Sequence, residues 1–108
     1  MANQKVYVEQ TLQNAAASGN GTAIFCGAAE DIVILAKWST GGSLGVLSVE
    51  EADDIAYAGT WSVITTITQV AASSTDALHL SGLFRALRAR LATAVTGGTV
   101  TVLFFGSN

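Results

Sequence analysis

The sequence predicts an all-β protein, an antiparallel β-sandwich of about eight strands with jelly-roll-like connections. Short apolar runs with a period of two recur along the chain, and turn residues separate them at a spacing typical of a sandwich. The 108 residues contain no proline, no long polar linker and no internal repeat. A chain of this length has room for one core, so residues 1–108 are expected to form a single domain.

In the first half of the chain, strands are predicted where apolar residues alternate with polar ones or where β-branched residues cluster. These strands cover residues 5–12, 22–26, 32–38 and 44–50. Loops are expected over residues 14–21 and 27–31, and the segment Thr40–Ser43 is predicted to be a hairpin turn. The β-branched start of the strand at 32–38 places it in the middle of a sheet.

The strand over residues 44–50 can adopt either of two registers. Leu44 and Val46 face the core in one of them, whereas Leu47 and Val49 face it if the strand slips by one residue. Both pairs are apolar, so the sequence alone leaves the register open.

The second half of the chain predicts a further series of strands, over residues 60–70, 77–80, 83–95 and 99–105. Residues 51–59 and 71–75 are expected to be loops. In the last strand Val100, Val102 and Phe104 share one face, as in a half-buried strand. Gly97 and Gly98 predict a tight hairpin that pairs this strand with the one before it.

Residues 83–95 also fit a helix. Leucine or valine recurs at every fourth position, and alanine, leucine and arginine are good helix formers. A strand instead directs alternate residues toward the core, namely Leu87, Ala89, Leu91, Thr93 and Val95. We favour the strand, with Arg88 and Arg90 facing outward, because the following glycine pair and alternating segment require an adjacent pairing partner. The helical alternative stays open.

Composition limits the classes of function. Only 12% of the residues are charged whereas 50% are hydrophobic, so apolar surface is expected to be buried against a partner, most simply in a homo-oligomer. The net charge of −3 argues against nucleic-acid binding. No apolar run reaches the ~20 residues that a membrane helix needs, and no signal peptide is recognised. Cys26 is the single cysteine, which rules out a disulfide within the chain.

Two charged clusters are the candidate docking patches. The acidic run Glu50, Glu51, Asp53 and Asp54 has oxygen ligands that suit calcium, but it lacks the glycine and the alternation of a calcium loop. A solvated loop that could dock a basic partner is the preferred interpretation, and no metal is expected. Arg85, Arg88 and Arg90 carry three of the five basic side chains. They are predicted either to contact acidic residues of a neighbouring subunit or to form a polar outer face of one strand.

No catalytic residue and no cofactor is predicted. His79 has no second histidine for a zinc site, and Cys26 beside Phe25 is typical of a small buried hydrophobe. A nucleophilic pair of Cys26 and His79 is the enzymatic alternative. Trp38 and Trp61 are expected in the core or at a subunit interface, although they could also form a platform for stacking sugars.

Several short segments resemble small β-sandwich virion proteins of tailed bacteriophages and prophages. The matching segments are Gly19–Thr22, Ile32–Leu35, Gly45–Glu51 with Trp61 downstream, Ser81–Arg85, Arg88–Arg90 and Thr96–Val102. The resemblance covers most of the chain, and its last segment is the most specific. The loop before Trp61 departs from that group because it is longer and more apolar.

The resemblance implies a non-enzymatic virion structural protein, and first of all a capsid decoration (cement) protein. Such a protein is made in the host cytoplasm, sits on the outer surface of the capsid and staples neighbouring copies of the major capsid protein. It is expected to be a homo-oligomer, a trimer or a dimer. The alternatives are a tail- or neck-associated sandwich and a carbohydrate-binding module for host adhesion.

Overall fold

A computed structural model describes residues 8–27 and 29–107 of the chain, and all the regular structure in these ranges is β-sheet. The strands are β1 (Val8–Ala16), β2 (Ile24–Phe25), β3 (Asp31–Trp38), β4 (Val46–Ala52), β5 (Ser62–Thr68), β6 (Thr75–Ser81), β7 (Ala86–Thr93) and β8 (Val100–Ser107). The all-β prediction is confirmed. Within the described ranges no helix is long and apolar enough to cross a membrane.

The strands form two antiparallel four-stranded sheets, ordered β1-β8-β3-β6 and β2-β7-β4-β5. We call them the first and the second sheet. The first strand in the chain pairs with the last, the second with the seventh, the third with the sixth and the fourth with the fifth. A folded-over ribbon of this kind is a jelly roll, so the predicted sandwich is confirmed. The strand β3 lies between β8 and β6, in the middle of its sheet as predicted.

The core lies between the two sheets. Ile34 and Phe104 of the first sheet and Leu47 and Leu87 of the second sheet are fully buried there. The open register of β4 is therefore resolved in favour of Leu47 and Val49, whereas Leu44 lies outside the strand and is exposed. In β8 the alternation of buried and half-buried residues matches the predicted inward face of Val100, Val102 and Phe104.

Both predicted hairpins are wrong, although the strands on either side of them are right. The segment Thr40–Ser43 leads from β3 in the first sheet to β4 in the second, and Gly97-Gly98 leads from β7 in the second sheet back to β8 in the first. The two crossings lie side by side, and Ser43 and Thr96 form a bridge between them. A Cβ atom on Gly98 would lie 2.6 Å from the Cα of Gly42. Gly98 is needed because the two backbone crossings touch, whereas Gly41 and Gly97 have positive φ angles of 82° and 75°.

A buried amide secures the first of these crossings. Gln69, directly after β5, donates a hydrogen bond from Nε2 to the carbonyl of Gly42 at 2.9 Å. Its Oε1 accepts one from the backbone N–H of Gly45 at 3.2 Å. The backbone N–H of Gln69 in turn donates to the carbonyl of Gly45 at 2.9 Å. Gln69 thus ties the end of β5 to the start of β4.

Other boundaries differ in detail from the prediction. The strand β1 continues to Ala16 through two register shifts, where a loop was expected from residue 14. The part of that prediction at residues 5–7 lies outside the described residues. Within the segment 83–95 the chain forms the strand β7 (Ala86–Thr93) and no helix, and Val95, beyond the strand, is buried as predicted. Thr93 is exposed and not buried, because a register shift opposite Val46 interrupts the alternation before it.

Candidate docking surface

The outward-facing side of the second sheet brings most of the predicted charged residues together. Leu47, Val49, Leu87 and Ala89 point into the core, so the residues that alternate with them point away from it. We call this surface the arginine face and define it by Phe25, Glu50, Val63, Arg85, Arg88 and Arg90. Cross-strand pairing sets Glu50 between Arg88 on one side and Val63 on the other.

Glu50 is the centre of the arginine face. Its Oε1 accepts hydrogen bonds from Nε and Nη2 of Arg88, both at 2.8 Å. Its Oε2 accepts one from Nε of Arg90 at 2.9 Å and one from the Ser48 hydroxyl at 2.8 Å. The Glu50 side chain is only 3% exposed, against 17% for Arg88 and 37% for Arg90. The predicted outward orientation of both arginines is correct, but they bind a carboxylate of their own chain.

The pKa of Glu50 reflects this environment. Burial alone raises the pKa, since it penalises the charged form. The hydrogen bonds from Ser48, Arg90 and Arg88, together with the positive charge of Arg90, outweigh burial, so the pKa of Glu50 lies below its ordinary value. Glu50 is therefore a stable anion, and one carboxylate neutralises one of the two guanidinium charges.

The ring of Trp61 completes the support of Arg88. The guanidinium carbon of Arg88 lies 4.6 Å from the centroid of the Trp61 ring, which is within the range of a cation–π interaction. The indole N–H of Trp61 donates a hydrogen bond to the carbonyl of Tyr57 at 3.0 Å. The loop after β4 is thereby held close to the sheet, and Arg88 is fixed between a carboxylate and a ring.

Arg85 differs from the other two arginines because it is exposed. Its Nε donates a hydrogen bond to the backbone carbonyl of Asp53 at 3.1 Å. Its guanidinium carbon lies 5.8 Å from the ring centroid of Phe25, which is itself exposed. Arg85 makes no ion pair among the described residues, so its charge can still bind an acidic group of a partner.

The acidic run does not form one site. Glu50 and Glu51 are consecutive in a strand and point to opposite sides of the sheet, and Glu51 contributes to the electrostatic environment of Cys26. Asp53 and Asp54 are exposed in the loop after β4, where Oδ1 of Asp54 accepts a hydrogen bond from the N–H of Ala56 at 3.0 Å. In the described part of the chain no three acidic, histidine or cysteine side chains are grouped as metal ligands.

The proposed nucleophilic pair is not assembled. Cys26 is buried in the core directly after β2, and burial followed by the negative charge of Glu51 raises its pKa to about 11. His79 lies on β6 of the other sheet, where it pairs with Val33 and is exposed on the outer side. The core therefore separates the two side chains, and the thiol stays protonated at neutral pH.

The tryptophans do not form a sugar-stacking platform. Trp38 is 3% exposed and Trp61 4% exposed, so neither ring offers a face to solvent. The indole N–H of Trp38 donates a hydrogen bond to Oδ2 of Asp76 at 2.7 Å, so the one polar group of this buried side chain has a partner. The expectation that Trp38 packs in the core is confirmed.

Comparisons with known proteins are informative about the fold. No protein-family model matches the chain, and no curated protein matches it significantly. Among solved structures, the crystal structure of the SPBc2 prophage-derived protein YomS is similar, with a TM-score of 0.71 and 15% sequence identity. The similarity covers 100% of this chain and 98% of that chain. The two proteins therefore share one fold over almost their whole lengths.

Proposed function

We propose that this chain is a non-enzymatic structural protein of a bacteriophage virion, and specifically a capsid decoration protein. It binds the outer surface of the head and staples neighbouring copies of the major capsid protein. The observation that carries the proposal is the end-to-end similarity in fold to a prophage-derived protein, which covers 98% of that chain. The resemblance of short sequence segments to phage virion sandwiches points the same way.

The arginine face is the surface that we assign to the shell. Its centre is rigid, because Glu50 fixes Arg88 and Arg90, and Trp61 supports Arg88. Arg85 adds a cation that makes no ion pair among the described residues, and Phe25 adds an exposed ring. A rigid surface loses little conformational entropy on binding, which suits a small protein with a limited contact area.

The protein reinforces the capsid by binding to it in many copies. A capsid presents the same surface repeatedly, so a homo-oligomer can bridge adjacent subunits, and its second contact forms at a high effective concentration. Weak individual contacts then add up to stable attachment. The same argument applies to the symmetric surfaces of a phage tail or neck, which is the alternative location.

Co-sedimentation with phage heads tests the proposal. Purified protein is mixed with empty and with expanded heads from the same genome, and the copy number bound per capsid subunit is measured. A fixed copy number supports decoration. Absence of binding to every form of the head would refute it, and parallel sedimentation with isolated tails would test the alternative location.

A pair of matched variants tests the assigned surface. Arg85→Glu reverses an exposed charge on the arginine face and leaves the Glu50 cluster intact. Lys37→Glu makes the same change of charge on an exposed residue of β3, on the opposite side of the molecule. We expect Arg85→Glu to lose head binding and Lys37→Glu to retain it. Equal binding by both variants would show that the shell contacts another surface.

A further inference from the structure

The strand β5 forms an edge of the second sheet. It pairs with β4 on one side, and on its other side no described strand follows. An edge strand presents unpaired N–H and C=O groups on alternate residues, which can bind another strand. From Val46 to Val49 the pairing with β4 is regular, so the opposing residues Thr65–Thr68 form an undistorted strand.

The other edges of the described sheets carry features that oppose pairing. The strand β2 has only two residues. The strand β1 contains two register shifts. The strand β6 carries Asp76, which pairs with the buried Ala36 and so points inward. Short edges, bulges and inward-pointing charges are the usual ways in which proteins keep edge strands from associating.

The edge at β5 has no charged residue, unlike the edge at β6. Residues 55–75 include no Asp, Glu, Lys, Arg or His, and β5 itself consists of serine, threonine, valine and isoleucine. Exposed apolar side chains flank it, with Ile55 and Tyr57 in the preceding loop, Val63 in the strand and Val70 just after it. An uncharged β-branched strand of this length would promote aggregation if it stayed uncovered.

We infer that β5 pairs antiparallel with β5 of a second copy of this chain, about a two-fold axis that passes beside residues 65–68. A two-fold contact brings the same surface together from both chains, so any charge on it would face its own copy. The uncharged segment 55–75 meets this requirement. Threonine and β-branched residues also form favourable cross-strand pairs.

This pairing would make one continuous sheet from the second sheets of both copies. The two arginine faces would then lie on the same side of that sheet. The pairing itself does not depend on the proposed function, but this consequence does, since a dimer with two adjacent docking surfaces can bridge neighbouring capsid subunits.

The mass of the purified protein in the absence of phage heads tests the inference. Light scattering is expected to give a dimer of about 22 kDa, which is twice the 11.1 kDa of one chain. Thr66→Lys places a charge on the exposed outer side of β5, where it would face its own copy. Thr11→Lys is the matched control, because Thr11 is an exposed threonine on the edge strand β1.

We expect Thr66→Lys to have the mass of one chain and Thr11→Lys to stay dimeric, with unchanged circular dichroism spectra. A monomeric or trimeric wild type would overturn the inference, and so would a dimeric Thr66→Lys. Dissociation of both variants would also overturn it, since the effect would not then be specific to β5.

Hydrogen exchange of the unmodified protein gives an independent result even if Thr66→Lys does not fold. Amide protons of residues 65–68 that point away from β4 should exchange more slowly at high protein concentration than at low, and by a larger factor than those of the other edge strand β1. Dimerisation stabilises the whole fold, but it covers only β5. Exchange at β5 that is independent of concentration, in a protein that dimerises, would place the interface elsewhere. Head binding is measured separately, so failure of either proposal can be distinguished from failure of the other.

Discussion

Replacing Glu50 by glutamine should be one of the most destabilising changes of a single polar group in this protein. Glu50→Gln keeps the size of the side chain and removes its charge, while Arg88 and Arg90 stay in place. The substitution leaves Arg88, whose side chain is 17% exposed, without the carboxylate that receives two of its N–H groups. An unpaired charge then remains in a site that water reaches poorly.

The expected loss follows from the exposure of the partners. Removing one member of a fully buried ion pair costs ~3–5 kcal/mol. Arg90 is 37% exposed and can recover hydration, and Trp61 continues to support Arg88, so the lower end of that range applies. We expect the free energy of unfolding to fall by about 3 kcal/mol. For a domain of this size that corresponds to roughly 12 °C in Tm, at about 4 °C per kcal/mol.

Urea and thermal unfolding at neutral pH and one fixed protein concentration provide the measurement. Asp53→Asn is the matched control, because it makes the same change of charge on an exposed residue of the same acidic run. The backbone carbonyl of Asp53, which receives Arg85, is unaffected by that substitution. We expect the control to change stability by less than about 0.5 kcal/mol.

A loss below about 1 kcal/mol for Glu50→Gln would refute the argument, since the cluster would then behave as a solvent-exposed ion pair. The triple variant Glu50→Leu, Arg88→Met, Arg90→Met removes the whole ion cluster. Comparison with Glu50→Gln shows how much of the loss comes from leaving the arginines without a carboxylate. Apolar residues of similar volume remove the buried charge together with its partners, so this variant should regain most of the stability that Glu50→Gln loses.

The remaining predictions concern proton binding and one buried amide. Folding lowers the pKa of Glu50, so the stability that this residue contributes is fully present above about pH 4.3 and is lost at lower pH. Urea titrations at several pH values should show this loss in the wild type and not in Glu50→Gln. The pKa of Cys26 is raised to about 11, so iodoacetamide at about pH 8 should modify the unfolded but not the folded chain, as mass spectrometry can check. Labelling of the folded protein would revive the enzymatic alternative. Gln69→Ala leaves the carbonyl of Gly42 and the N–H of Gly45 without their partner, and urea unfolding should show a loss of about 2 kcal/mol.

The strands could be predicted from the sequence because burial on one face of a sheet imposes a period of two. Val100, Val102 and Phe104 show that period directly, and all three are fully buried. The connections could not be predicted in the same way. Glycine pairs permit tight turns, and they also permit two backbones to touch, as Gly42 and Gly98 do. Only the sheet order, which depends on contacts between distant parts of the chain, distinguishes the two cases.

The candidate site could be predicted from the sequence only in part. Arg88 and Arg90 were placed on the outer face by the alternation of their own strand. The sequence predicts that Glu50 belongs to a solvated acidic run, and the open register of β4 leaves undecided which face of the strand it occupies. Once Leu47 and Val49 face inward, alternation places Glu50 outward, on the same side as the arginines. The pairing with β7, whose residues lie 38 and 40 positions away, was the missing information.

The internal ion cluster changes what the arginine face can offer a partner. Two of its three guanidinium groups already bind Glu50, so an acidic partner would find only Arg85 uncommitted. The exposed apolar side chains of this face are Phe25, next to Arg85, and Val63, across the sheet on β5. Recognition by this surface should therefore depend mainly on apolar contact, with one charge to fix the orientation, and it should be only weakly sensitive to salt. A steep loss of head binding as salt concentration rises would mean that Arg88 and Arg90 leave Glu50 when the protein docks.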